Sequence, residues 1–187
     1  HAQQIMHAFW GVGQMSFVKH AIFVDQDAPE LPSMEVIPYI LNRFSTENIL
    51  ITKGVVDALD HSSSKFAVGG KLGVDCTGNE IDELGIEILD DNLLLQKIQN
   101  ISSDIKGLKQ YYTNTKSPIV VISVEKNRSQ KYLIDELKPL FNHIKILAIV
   151  DEKNNDLDNA YMLIWRVVNN IDSNRDIYID GHTVSID

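Results

Sequence analysis

The segment Ile119-Val120-Val121-Ile122-Ser123-Val124 decides the fold class, together with a helical pattern from Gln130 to Phe141 and then the apolar run Ile144 to Val150. A short β-branched run with almost no polar interruption reads as a strand buried on both faces, and the periodic stretch behind it as a helix. Strand, helix, strand in that order requires a crossover between parallel strands, a βαβ unit. Downstream, Leu157 to Val168 reads as another helix and Ile177 to Ile179 as a last strand. Upstream, Phe17 to Val24 and Asn48 to Thr52 read as strands. The helix between them carries Met34, Ile37, Ile40 and Leu41 on one face, with Pro29 and Pro32 in the preceding loop and Ser33 as N-cap. Ile5, Met6, Phe9 and Trp10 recur at helical spacing before Gly11 and Gly13. The text from Ile81 to Tyr112 also scans as helical, with Leu93, Leu94, Ile98, Ile101, Ile105 and Leu108 spaced by threes and fours. Val55 to Val74, with its serine triplet and Gly69, Gly70 and Gly73, reads as irregular, a surface loop or part of a site. The expected fold is α/β, a three-layer α/β/α arrangement with a largely parallel or mixed sheet.

The chain also resembles itself. Ala21-Ile22-Phe23-Val24-Asp25 is similar to Leu147-Ala148-Ile149-Val150-Asp151, and Gly54 to Asp60 falls on Gly181 to Asp187 after a one-residue slip. Both copies run from an apolar strand through an acidic or Asn-rich loop and a helix to a short strand with a turn glycine. The pattern reads as a tandem duplication of a βαβ unit. The expected organisation is a first α/β unit over 1–79, a helical connection over 80–117 and a second α/β unit over 118–187, cut short at its end. The chain opens at His1 without an initiator Met and is expected to be a piece of something longer.

Composition narrows the function. The 187 residues are 44% hydrophobic and 23% charged, ordinary for a globular chain. Seventeen basic residues against 26 acidic ones give a net charge of −9, without the Lys/Arg cluster that a phosphate backbone requires, so nucleic acid is not an expected partner. Cys76 is the only cysteine, which excludes an intramolecular disulfide and a thiolate zinc cage and suits a reducing cytoplasm. No run reaches the ~20 apolar residues of a membrane span, and the N-terminal residues lack the pattern of a signal peptide.

Several candidate sites fall away on chemistry. Gly11-Val12-Gly13 lies between a helix and a strand, the reverse of the strand–glycine–helix order that aims a helix N-terminus at a pyrophosphate. Ser62-Ser63-Ser64 has no nucleophile elbow around it. Asp25 and Asp27 form an acidic corner after a strand, as in a receiver domain, but only Asp151 with Lys153 offers a loose counterpart. The informative cluster is Lys53-Gly54-Val55-Val56-Asp57-Ala58-Leu59-Asp60-His61-Ser62-Ser63, with Gly69-Gly70-Lys71-Leu72-Gly73-Val74-Asp75 close behind. Two lysines, three carboxylates and a histidine crowd a glycine-rich region beyond a strand, where ligands bind in parallel sheets. Lys53 and Lys71 would neutralise a carboxylate or phosphate, and His61 would shuttle a proton. In the competing reading Asp60 and His61 only fix the loop through backbone hydrogen bonds.

The same cluster carries a resemblance. Phe9-Trp10-Gly11-Val12-Gly13-Gln14-Met15-Ser16-Phe17-Val18-Lys19 resembles the (L/M)WGxGQMxFxK segment of UbiD-family decarboxylases. Ala21 to Asp27 resembles their VVVDxDV, Ile51 to Ser63 their ITRGPLDxLDHAS, and Gly69 to Thr77 their GSKLGIDAT. From residue 80 onward the likeness thins, although Asn170-Ile171-Asp172-Ser173-Asn174-Arg175-Asp176-Ile177 echoes the RVDPERDI that precedes the ITRG strand. The echo suits a subgroup with an extended C-terminus, nearer the menaquinone-type members. The resemblance implies a non-oxidative decarboxylase of aryl or α,β-unsaturated acids that uses prenylated FMN with Mn²⁺ or Mg²⁺ and K⁺. It also implies an Arg and two Glu for proton transfer, all in an N-terminal domain. No segment here matches those groups, so no catalytic or metal-binding residue is carried over.

What the resemblance assigns to this chain is the C-terminal α/β domain that closes over the cofactor and contributes to a dimer or hexamer. By motif position, Lys53 and Val55 fall where the family lines the substrate pocket, and Gln14, His61 and Lys71 fall on motif positions without an assigned role. Val55-Val56 in place of Pro-Leu and Ser62 in place of Ala depart from the pattern. The expectation is thus a portion of a decarboxylase acting on a 3-polyprenyl-4-hydroxybenzoate-like or menaquinone-pathway acid. It would be inactive without its cofactor domain and would hold no cofactor itself. The alternative is a non-catalytic α/β binding or oligomerisation module.

Overall fold

The computed structural model describes residues 1–82, 85–125 and 130–187. They form a mixed α/β structure with two sheets, in two compact units. The first unit comprises residues 1–82 and 168–177, the second 83–167 and 178–187.

In the first unit, helix α1 (Ala2–Gly11) is followed by a 3₁₀ turn over Gly13–Phe17. Then come strand β1 (His20–Phe23), helix α2 (Val36–Leu41), strand β2 (Ile49–Val55) and strand β3 (Val68–Asp75). The sheet order is β1-β3-β2, with β1 parallel and β2 antiparallel to β3. The irregular reading of Val55 to Val74 is therefore corrected, because its second half is the central strand. Its three glycines disguise it, and each has a steric reason. A Cβ on Gly69 would strike Ser63, and one on Gly73 would strike Met6 and Trp10. One on Gly70 would sit 2.5 Å from Asp172 Oδ1 and 2.7 Å from the backbone nitrogens of Ser173 and Asn174. Successive side chains of a strand point to opposite faces. Gly69, Lys71 and Gly73 therefore admit Ser63, the backbone of residues 16–18 and α1 on one face. Gly70 admits α6 (Ser173–Asp176) on the other.

Two smaller points are also corrected. The strand read over Phe17 to Val24 is only β1, since Phe17 belongs to the 3₁₀ turn. Ser33 is not the N-cap of α2, which is Glu35; the Ser33 hydroxyl instead accepts from the Glu35 amide at 3.2 Å in the turn before it.

The second unit contains α3 (Asp91–Ile101), β4 (Ile105–Tyr111), β5 (Ile119–Val124), α4 (Gln130–Leu137) and β6 (Ile146–Asp151). After them come α5 (Ala160–Asn170), whose last turn the first unit takes up, β7 (Ile177–Asp180) and β8 (Thr183–Ile186). The order β4-β5-β6-β8-β7 is mixed, with β4 antiparallel to β5 while β5, β6 and β8 run parallel. The buried run Ile119 to Val124 is a strand next to β6, as its composition implies. Val120, Ile122, Val124, Leu147 and Ile149 pack with Leu94 and Ile98 of α3 and with Leu133, Ile134 and Leu137 of α4. The alternate residues Val121, Ala148 and Val150 pack with Leu163 of α5.

The helical reading of Ile81 to Tyr112 is corrected too. Residues 83 and 84 lie outside the described residues. Asp90 caps α3 by accepting from Asn92 and Leu93, and the helix ends at Ile101. Ser102-Ser103-Asp104 turns the chain into β4. The spacing of Ile105 and Leu108 continues the helical rhythm by coincidence. Gly107 marks the strand, because a Cβ there would meet Ser123 Oγ at 2.9 Å.

Gly70→Ala is expected to destabilise the first unit by about 2–3 kcal/mol, since the added methyl meets backbone atoms that cannot swing aside. Urea unfolding checks this, through a lowered midpoint at an unchanged slope.

Candidate functional site

The two faces of β3 carry two different polar constellations. On one face Lys71, 1% exposed, donates from Nζ to the carbonyls of Ser16 at 2.5 Å and Val18 at 2.9 Å. Its stem runs past Gly54, where a Cβ would lie 3.3 Å from Lys71 Cε. Burial pushes the Lys71 ammonium below its ordinary pKa and neighbouring Lys19 adds to the shift, while Asp60 opposes it. Lys19 donates to Asp60 Oδ1 at 2.8 Å and to Ser62 Oγ at 2.5 Å. Asp60 also accepts from the Ser62 and Ser63 hydroxyls and from both their amides. Burial alone would raise its pKa, but the hydrogen bonds from Lys19, Ser63 and Ser62 prevail and hold the carboxyl well below the usual carboxylate range.

His20, at the start of β1, completes this group. Its Nε2 is buried without a hydrogen-bond partner among the described residues. Burial, and after it the charge of Lys19, lowers its pKa to about 4 against the smaller opposing pull of Asp60. The hub thus holds two ammonium groups, one carboxylate and a neutral imidazole. It pins residues 16–19 and the 57–63 loop to the sheet.

On the other face, α6 lies over β2 and β3. Asp172 Oδ1 accepts from the Gly70 amide at 3.2 Å and from the Asn174 amide at 3.0 Å, and Asn174 Nδ2 donates to the Thr52 carbonyl at 3.1 Å. Arg175 grips Asp176 with Nε at 2.5 Å and Nη2 at 2.6 Å, and donates from Nη1 to the Ser62 carbonyl at 3.0 Å. Asp176 Oδ2 in turn accepts from the Asp172 amide at 2.7 Å. Between α6 and the strands is an open cleft of about 130 Å³ lined by Lys53, Ser64, Val68, Asp172, Asn174 and Arg175.

The residues singled out in the sequence are therefore divided. Lys53 and Val55 share the α6 face, opposite Gly70 and Val68 in register. Lys71 lies on the hub face with Asp60 near it. Gln14 is exposed in the 3₁₀ turn, and His61 is exposed beside the hub. Asp57 turns the loop by accepting from the Leu59 amide at 2.8 Å. Asp25 and Asp27 do not converge on a common point: Asp25 accepts from the Gly78 amide and Asp27 from the Tyr39 hydroxyl. The Cys76 thiol is buried and, through that burial, pushed up to about 12, which leaves it un-ionised and inert.

Sequence reasoning passed over Lys19, His20 and Ser62 as partners, because the hydrogen bonds joining Lys19 to Asp60 and Ser62 span 41 and 43 residues. Asp172 and Arg175 were visible as a motif echo, but their docking onto β3 was not. Among the described residues no group of three or more His, Cys, Asp or Glu side chains converges to hold a metal ion, and no helix is long and apolar enough to cross a membrane.

Comparison with known proteins gives a family match over the first sheet and a relative over the whole chain. Residues 1–76 match the family described as the 3-octaprenyl-4-hydroxybenzoate carboxy-lyase C-terminal domain, UbiD_C. The match ends one residue past β3. An uncharacterized protein of Helicobacter pylori strain J99 is 52% identical over 189 aligned positions that take in 100% of this chain and 30% of that protein. The chain thus spans under a third of that relative's length. An uncharacterized protein of Archaeoglobus fulgidus is 33% identical over 84 residues, 44% of this chain and 18% of its own length. Among solved structures, an evolved dimeric form of the UbiD-class enzyme HmfF from Pelotomaculum thermopropionicum, in complex with prFMN, aligns with a TM-score of 0.47 and 17% identity over 75% of this chain and 39% of that one.

The hub generates two expectations. Asp60→Asn leaves Lys19 without its counter-charge and is expected to cost about 3 kcal/mol or more at neutral pH. Because folding lowers the Asp60 pKa, the wild-type advantage is fully present above the unfolded value near ~4 and is lost as the pH falls through the folded value. Denaturant unfolding of both proteins between neutral pH and pH 3 should show the gap narrowing only at the acid end. His20 also has a depressed folded pKa, so it contributes stability above ~6.5 that is lost toward about 4. His20→Gln should flatten the stability profile across that interval in thermal melts.

Proposed function

We propose that this chain is the C-terminal part of a UbiD-class carboxy-lyase that decarboxylates an aryl or α,β-unsaturated carboxylic acid, and that it is inactive by itself. One observation supports this above the others. The family match covers residues 1–76, and within it the motif residues Lys19, Asp60, Lys71, Gly69 and Gly73 are among those that build one hydrogen-bonded hub and one sheet. In this reading the substrate is a 3-polyprenyl-4-hydroxybenzoate-like or menaquinone-pathway acid. The remaining polypeptide supplies the prenylated FMN site with Mn²⁺ or Mg²⁺ and K⁺, and the assembly is a homo-oligomer. The flavin supplies the electron sink, and a protein contributes orientation and a dry wall. Here that wall is the hub-pinned sheet, with Lys53 and Val55 turned toward substrate.

The second unit is read as a degenerate copy of the first. The order β6-β8-β7, with β6 parallel to β8, repeats β1-β3-β2, with β1 parallel to β3. The divisions 1–79, 80–117 and 118–187 belong to that proposal.

The test compares this chain with a longer polypeptide carrying the remaining length of the Helicobacter pylori relatives. Both are supplied with prenylated FMN, Mn²⁺ and K⁺ and assayed for CO₂ release from aromatic and acrylic acids. Turnover by the longer protein and none by the 187-residue chain is expected. Turnover by the chain alone overturns its assignment as an incomplete part. A folded, flavin-free and inert longer protein replaces the decarboxylase with a non-catalytic binding module.

A further inference from the structure

The geometry points to a second feature, independent of any flavin: the cleft between α6 and the β2–β3 face is a binding site for a small oxyanion, a carboxylate or phosphate group, with the Lys53 ammonium as its counter-charge. The polar atoms at the cleft differ in how far they are already engaged. Its carboxylates are taken up from within. Asp172 Oδ1 receives two backbone amides, and Asp176 receives the Arg175 guanidinium and the Asp172 amide. Both side chains are buried; Asp176 is paired with Arg175, while Asp172 lines the cleft with Oδ1 already accepting two amides.

The donors are the reverse. Among the described residues neither Lys53 Nζ nor Ser64 Oγ has a hydrogen-bond or ion-pair partner, and both residues are exposed at the cleft mouth. The Arg175 side chain is held by Asp176 and the Ser62 carbonyl, yet 54% of it remains exposed. A guanidinium fixed in place loses little conformational freedom when an anion arrives. Val68 closes one side with an apolar wall, which raises the strength of a charge interaction beside it. With its carboxylates already accepting hydrogen bonds, the cleft offers donors to an incoming group, and about 130 Å³ admits one carboxylate or phosphate group.

The site also explains an otherwise costly arrangement. Lys53 and Arg175 come from segments more than a hundred residues apart. Both line the cleft because Gly70 lets Asp172 approach the strand backbone. No metal or cofactor is needed for this binding; as a carboxylate site it rests on the reading that turns Lys53 toward an acid substrate, whereas as a phosphate site it does not.

The test uses the ¹⁵N-labelled 187-residue chain, titrated at constant ionic strength with sodium phosphate and, separately, with sodium benzoate. Saturable shifts of the Ser64, Val68, Gly70, Asn174 and Arg175 amides are expected with at least one of them. Which anion saturates identifies the source of the group. Lys53→Met should weaken binding about tenfold or more, the loss of one charge-assisted contact. Lys53→Arg should restore most of it, and Lys97→Met, on α3, should leave it unchanged. Absence of saturation with both anions overturns the proposal, as does saturation that Lys53→Met does not alter. Decarboxylase activity is not part of the readout, so failure here leaves that reading intact, and the converse holds.

Discussion

The first unit depends on one steric constraint: the central strand β3 must be nearly bare. Three of its eight residues are glycines, and on each the missing methyl is replaced by something else, Ser63 at Gly69, Asp172 and two backbone nitrogens at Gly70, Met6 and Trp10 at Gly73. A strand rich in glycine has little side-chain surface of its own to bury and loses more entropy on ordering. Here the deficit is met by letting other elements reach the backbone. α1 and α6 can therefore lie on opposite faces of the same strand, although residues 2 and 176 are at opposite ends of the chain.

Electrostatics supplies the second constraint. Lys71 is the one long side chain on the otherwise bare hub face, and its charge lies in a place where desolvation is expensive. Two backbone carbonyls satisfy its hydrogen bonds but not its charge. Asp60 is the compensating carboxylate, and it is also the ligand of Lys19. One carboxylate between two ammonium groups leaves a positive excess. That excess, added to burial, keeps His20 neutral. Chemistry that needs an electrophile or a proton donor at neutral pH would not be run from this imidazole, and the hub is better understood as the fastening of two loops.

How much the sequence made legible depends on how local each signal is. The β5–α4–β6 run was readable because a buried parallel strand has a composition of its own, and the first strand and its acidic corner because the apolar run is short and sharply ended. The β3 strand was not readable, since its identity lies in what packs on it: glycine in sequence signals a turn, while glycine in space signals a close neighbour. β4 hid inside a helical spacing that continued by chance past Ile101. The hairpin of β7 and β8 was half seen, although Asp180-Gly181, with Gly181 at φ +55, is a hairpin turn signal in itself. At the candidate site Lys53, Val55, Asp60 and Lys71 form a crowd in sequence. The assumption that neighbours in sequence share a site failed, because alternation along β2 and β3 sends Lys53 and Lys71 to opposite faces.

That division bears on where function can reside. The residues facing the hub are engaged: Lys19, Asp60, Ser62, Ser63 and Lys71 spend hydrogen bonds on one another and on the backbone. A group so engaged has a structural reason to be the residue it is, and resemblance through such positions reports a shared scaffold before it reports shared chemistry. Reactivity toward a ligand requires donors or acceptors left over after folding. On the α6 face, among the described residues, they are left over at Lys53 and Ser64, which share the cleft with a guanidinium whose orientation the fold has already set. In this unit the side that looks richest in charged motif residues is therefore the fastening. The plainer side, built partly from residues that arrive from the far end of the chain, is the one with binding capacity to spare.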